Sequence, residues 1–168
     1  MKRPRCSPLW HTTAFTALFV LIGAIGAEDP PSGVAQQRSD GAAADAIKTV
    51  LTRQMNAWNR GDLDVFMQHY WKSDQLTFSS AGATTRGWTA TRDRYRKRYA
   101  TVEQMGKLSF DQLEVSTLGD SAALVLGRWK LQRAEPIGGN FSLVLRRIDG
   151  QWLIIHDHTS VEPPPAGG

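Results

Sequence analysis

Two of the four histidines, His156 and His158, stand two residues apart in the run from Gln151 to Val161. Apolar and polar residues alternate there, which predicts a strand, and residues two apart on a strand share a face. Imidazole titrates near neutral pH, so the pair could work as general acid and base. The same rings could instead be packed, hydrogen-bonded core residues, or touch a ligand without reacting. Asp157 points the opposite way on this alternation and cannot orient either ring from within the strand. Trp152 and Ile154 fall on the histidine face; Leu153 and Ile155 join Asp157 on the other. A metal site needs a third ligand, and His69 sits on a predicted helix, so no metal is expected.

Other chemistries find little support. The single cysteine, Cys6, excludes a disulfide within the chain and a cysteine-built metal site. No glycine-rich phosphate loop follows a strand, and there is no nucleophile elbow, so no cofactor is expected. The aromatics Trp58, Tyr70, Trp88, Tyr95 and Tyr99 lie at helical spacing, which usually means core. Trp58 and Tyr70 end two predicted helices. Arg92, Arg94, Arg96, Lys97 and Arg98 spread around a helix that turns Tyr95 and Tyr99 inward. This basic run reads as solvated surface, with binding to an anionic surface as the alternative.

The elements that must position these residues occupy part of a 168-residue chain of 18.6 kDa. Apolar residues are 41% and charged residues 21%, which excludes collagen, coiled coil and wholesale disorder. Lys2, Arg3 and Arg5 open the chain; without them the formal charge falls from +4 to +1, and nucleic acid is not expected as a partner. An uncharged run from Ala14 to Ala27 follows and ends in small residues. It is short of the roughly 20 residues a membrane span needs. Residues 1–27 therefore read as a secretory signal peptide, cut after Ala27 or after Ala24. The protein is expected to be secreted or periplasmic, meeting the membrane only during export. Residues 28–41 read as a flexible linker and 162–168 as an unstructured tail. One domain remains, 42–161.

Within it, Ala46, Ile47, Val50, Leu51, Met55 and Trp58 share a helical face that Gly61 ends. Asp62 caps a second helix with Leu63, Phe66, Met67 and Tyr70 inward. A short strand over 76–80 and a third helix over 89–99 follow. The period then switches to two across 108–118, 121–133, 139–148 and 151–161, with turns at Gly119-Asp120 and Asp149-Gly150. Helices followed by an antiparallel meander predict an α+β domain with helices on one face of a curved sheet. Both faces of the last strand are apolar over its first half, so the outer face should pack on something, most simply a second copy of the chain.

Three stretches together resemble a SnoaL-like domain of the nuclear transport factor 2-like superfamily. They are AWNRGDLDVFMQHY (57–70), the Arg86-Gly87 step into the Tyr95 helix, and LVLRRIDGQWLIIHDHTS (143–160). The resemblance implies a cone: a strongly bent antiparallel sheet wrapped around N-terminal helices, enclosing an apolar cavity, and often pairing through the outer sheet face as a homodimer. One fold hosts many chemistries, so function must be argued from the site. The ketosteroid-isomerase branch places its base near Ser79, a tyrosine near Met55 and an acid near Ser142 or Leu143. None is kept, and serine and methionine cannot abstract a proton. The calcium/calmodulin-dependent kinase association branch matches better, at Arg128, Arg146, Arg147, Trp152, His156 and His158. It implies that Arg128 anchors a small carboxylate, although a second pocket arginine of that branch falls at Leu143.

The resulting expectation is an exported domain that binds a small, largely apolar, optionally carboxylated molecule. Its pocket would hold Trp58, Tyr70, Arg128, Trp152, His156 and His158. The alternatives are a lyase, cyclase or isomerase using His156 or His158, and a pure self-association module.

Overall fold

The helical face from Ala46 to Trp58 lies in α1 (Ser32–Asn59) of a computed structural model that describes residues 32–163. The signal segment 1–27 lies outside the described residues. Of the linker expected over 28–41, the part from Ser32 onward is the first turns of α1. Ile47 and Leu51 are fully buried, each worth roughly 1.5–3 kcal/mol of apolar transfer. Gly61 ends the helix with φ of 76°, its N–H bonding to Trp58 at 2.8 Å. Asp62 then caps α2 (Leu63–Met67), its carboxylate accepting from the Val65 N–H at 3.0 Å. These two short-range signals turn the chain and bring Phe66 and Met67 against α1.

β1 (Thr77–Ser80) and β2 (Ala83–Arg86) form a hairpin across Ala81-Gly82, both at positive φ. The strand β2 was not expected, because Ala-Thr-Thr-Arg has no apolar alternation to betray it. α3 (Trp88–Arg98) and the single turn α4 (Val102–Met105) lead to four long strands. These are β3 (Lys107–Thr117), β4 (Ala122–Gln132), β5 (Ile137–Ile148) and β6 (Gln151–Thr159). Asp149 and Gly150 join β5 to β6 with φ of 49° and 79°, the double positive turn that Asp-Gly favours.

The sheet order is β2-β1-β6-β5-β4-β3. Every pairing is antiparallel except β1 with β6, which is parallel and corrects the purely antiparallel expectation. Two irregularities interrupt the ladders. One lies in β3 between Asp111 and Glu114, with Gln112 at φ of 51°; the other puts an extra residue, Ile155, into β6 opposite Val144 and Leu145. Bulges bend a strand and increase its twist, and here they curve an unclosed sheet around α1. The α+β architecture read from the sequence is the observed one. The Trp58 indole donates to the Met105 carbonyl at 3.2 Å, and Asn59 brackets Leu108 with bonds of 3.0 and 2.7 Å. These contacts pin the end of α1 to the start of β3.

At the other end, the Ser160 N–H bonds to Asn140 and the Glu162 N–H to Gly138. Glu162, assigned to the unstructured tail, is therefore tied to β5; residues 164–168 lie outside the described residues.

Candidate functional site

The concave side of the sheet is not filled by α1 and α3. A cavity of about 90 Å³ remains, and aromatic side chains dominate its wall, among them Trp58, Phe66, Phe78, Tyr99 and Phe141. Edge-to-face packing orders these rings: Trp58 and Tyr99 lie 4.8 Å apart at 76°, Phe66 and Tyr95 5.3 Å apart at 63°. Gly127 keeps room for Phe141, since a Cβ there would stand 2.6 Å from its Cζ. The Trp88 indole donates to the Met67 carbonyl at 2.9 Å and ties α3 to α2, which fixes the side of the cavity that α3 supplies.

Inside this apolar wall sits a chain of polar groups. The Tyr70 hydroxyl lies 2.7 Å from Oδ2 of Asp157 and 3.3 Å from the Tyr95 hydroxyl. Thr159 donates to Oδ1 of Asp157 at 2.8 Å. Asp157 is only 4% exposed and Tyr70 3%. Burial raises the proton affinity of Asp157 above that of an ordinary carboxyl, while the bonds from Tyr70 and Thr159 and the nearby His156 and His158 pull it back. Burial, and then the charge of Asp157, push the Tyr70 and Tyr95 phenols well above their usual range. With Asp157 ionised, the single proton of Tyr70 goes to the carboxylate. Tyr95 must then donate to Tyr70, and the chain runs Tyr95 to Tyr70 to Asp157.

Trp58 and Tyr70 line the cavity. The other four residues expected there do not. Trp152 is buried in the core but lies outside the cavity wall. Arg128 is on the convex face of β4, bonded to Glu162, with Asp111 3.9 Å away. His156 and His158 face the convex side, the first with Nδ1 2.7 Å from the Thr77 hydroxyl, the second exposed. The physical reason on β6 is the extra residue Ile155. Leu145 pairs with Ile154, but Leu143 pairs with Asp157, so the strand changes phase between them. Asp157 and Thr159 thereby join Trp152 and Ile154 on the concave face, and the histidines leave it. Among the described residues, no three His, Cys, Asp or Glu side chains are grouped so as to hold a metal ion.

Sequence reading missed Gln54, Arg94, Arg98 and Asp157, all of which line the cavity. A signal existed for Gln54, one helical turn before Trp58 on the same face. Tyr95 and Tyr99 were read as inward-facing, and Arg94 and Arg98 precede them, each in the flanking row of the same helix.

The SnoaL-like domain family model matches residues 47–164. A solved NTF-2 like protein of unknown function from Shewanella oneidensis MR-1 is 42% identical, with 69% of this chain and 97% of that one covered and a TM-score of 0.67. An NTF2-like superfamily protein from Salmonella enterica serovar Typhimurium LT2 shares the fold at 18% identity, covering 76% and 96%, TM-score 0.61. So does a ketosteroid isomerase-like protein from Erwinia carotovora atroseptica SCRI1043, at 18% identity, 71% and 96% coverage and TM-score 0.60. A search of curated proteins finds no match.

Proposed function

The chain belongs to the SnoaL-like domain family, and from that premise we propose that it binds a small, largely apolar molecule inside the cone. The observation that carries this reading is the Tyr95–Tyr70–Asp157 chain buried in an aromatic cavity. Burying a carboxyl costs free energy that apolar residues of similar volume would not, so its place in the wall is better explained by a ligand than by stability. The test is an NMR titration of the labelled domain with p-cresol, together with native mass spectrometry of protein purified from its own host. Shifts confined to cavity residues, or a retained small molecule, are expected. An empty protein that no neutral probe perturbs overturns the reading.

A catalytic reading has one observation in its favour. Asp157 is a carboxyl with raised proton affinity inside the cavity, the kind of group that general acid–base chemistry uses. A lyase, cyclase or isomerase would therefore rest on Asp157 rather than on His156 or His158. Asp157→Asn that binds the ligand and still turns it over excludes that role.

Export and dimerisation complete the proposal. Export rests on the sequence of residues 1–27, and the intact mass of protein from its host tests it by the loss of that segment. Dimerisation is supported by the convex sheet face, where Leu126 is 44% exposed and Leu124 pairs across to Val144.

A further inference from the structure

Helix α3 carries two kinds of arginine. Arg92 pairs with Asp93 at 2.9 Å and Arg96 with Asp64 at 2.7 Å. Arg94 and Arg98 have no carboxylate within 4.0 Å among the described residues. They lie one helical turn apart, and both line the cavity. Arg94 is half-buried with its guanidinium 5.1 Å from the centre of the Phe78 ring; Arg98 is exposed, 5.9 Å from that of Tyr99. Stacking on a ring orients a guanidinium without neutralising it. The rim therefore presents two positive charges beside an apolar interior, a setting in which a carboxylate gains paired, charge-assisted bonds.

A second observation lies deeper. Gln54 is 2% exposed, lines the cavity, and its Nε2 has no hydrogen-bond partner. A buried donor left unpaired is a cost that a ligand acceptor removes. The tyrosine–aspartate chain has the opposite need. Its protons are committed to one another, so it offers lone pairs to whatever enters. A hydroxyl meets both needs, accepting from an amide and donating to an oxygen. Size narrows the class further. An apolar cavity of roughly 150 Å³ accepts benzene, so one of about 90 Å³ leaves no room for a polycyclic ligand, and a single ring seats in it only by reaching out to the rim.

Resting on the reading of the cone as a small-molecule site, we infer that the ligand is a compact hydroxylated aromatic monocarboxylate. Arg94 and Arg98 hold its carboxylate at the rim, and its hydroxyl sits inside among Gln54, Tyr95 and Asp157. The anion anchor is thus on α3, and Arg128 has no part in it.

A set of probes separates the parts. Calorimetric affinities are compared for 4-hydroxybenzoate, 4-hydroxyphenylacetate, benzoate and p-cresol on the full domain, at low and high salt. At least one hydroxy acid should bind tenfold or more tighter than both benzoate and p-cresol, and lose that margin over p-cresol in high salt. Arg98→Gln should cut the margin over p-cresol to threefold or less. Because Arg98 is exposed, this variant carries the test even if Arg94→Gln folds poorly. Gln54→Leu should erase the margin over benzoate. If p-cresol binds and the acids bind no tighter, the cone reading stands and the anion anchor is overturned. If benzoate equals the hydroxy acids, the inner hydroxyl site is overturned. If none of the four binds, the cone reading and this inference fall together.

Discussion

The Tyr70 hydroxyl meets Oδ2 of Asp157 at 2.7 Å although 87 residues separate them. Backbone pairing makes the meeting possible. Ile154 bonds through its N–H to His69 and through its carbonyl to the Trp71 N–H, both at 2.9 Å, so residues 69–71 run beside β6 like a short parallel strand. That registers Tyr70 against the concave side of β6. The extra residue at Ile155 then turns Asp157 to the same side.

Replacing Asp157 exposes the cost of this arrangement. Its folded pKa is raised above the ordinary 3.8 by burial. A raised pKa contributes stability that is fully present below the unfolded value and is lost as pH rises through the folded one. Asp157→Asn removes that loss while still accepting from Tyr70. The stability advantage of the variant, followed through Tm, should be near zero below about pH 3.8 and grow as pH rises, to on the order of 1 kcal/mol at neutrality. Parallel Tm–pH curves for the two proteins would show that Asp157 is not strained by its site.

Tyr70→Phe takes away a donor without opening a cavity. The buried carboxylate keeps Thr159 but loses its shortest bond, at a cost of about 1–3 kcal/mol. Tyr95→Phe should cost less, since its link to Tyr70 is 3.3 Å long. In a double-mutant cycle, Tyr70→Phe should be markedly less harmful in an Asp157→Asn background. Additive effects in urea denaturation would mean that the two groups are not coupled.

The strap at the end of β6 depends on Gly139. A Cβ there would collide with the Ser160 carbonyl oxygen. Gly139→Ala should break the Ser160–Asn140 and Glu162–Gly138 bonds, costing about 1–3 kcal/mol, and release Val161 from the cavity rim. Limited proteolysis reads this directly, as faster trimming from residue 160 onward. Wild-type resistance to trimming in the variant would place the anchor elsewhere.

The convex face supplies the test of assembly. Leu126 is exposed, on the face that Ser142 and Val144 share. Leu126→Glu should leave the fold intact and convert a dimer to a monomer in light scattering at micromolar concentration. A wild-type chain that already runs as a monomer removes the proposal.

Most of the elements were legible because local physics specifies them. The helical face of α1, the Gly61 stop, the Asp62 cap and the Asp149-Gly150 turn are each decided within a few residues, and each is found where the sequence places it. The four long strands follow from their period of two, and the family resemblance rests on the same stretches. β2 escaped because a short edge strand with polar residues on both faces has no pattern to read. The site escaped for a different reason. Strict alternation puts His156 and His158 beside Ile154, and a sequence contains no mark of where a strand will take in an extra residue to bend with its sheet. That bend belongs to the pairing of β6 with β5 in the assembled sheet. One residue of slip at Ile155 moved the histidines to the outer face and brought Asp157 to Tyr70. The sequence thus determined most of the elements and their order; curvature, a property of the assembled sheet, decided which side chains face the cavity.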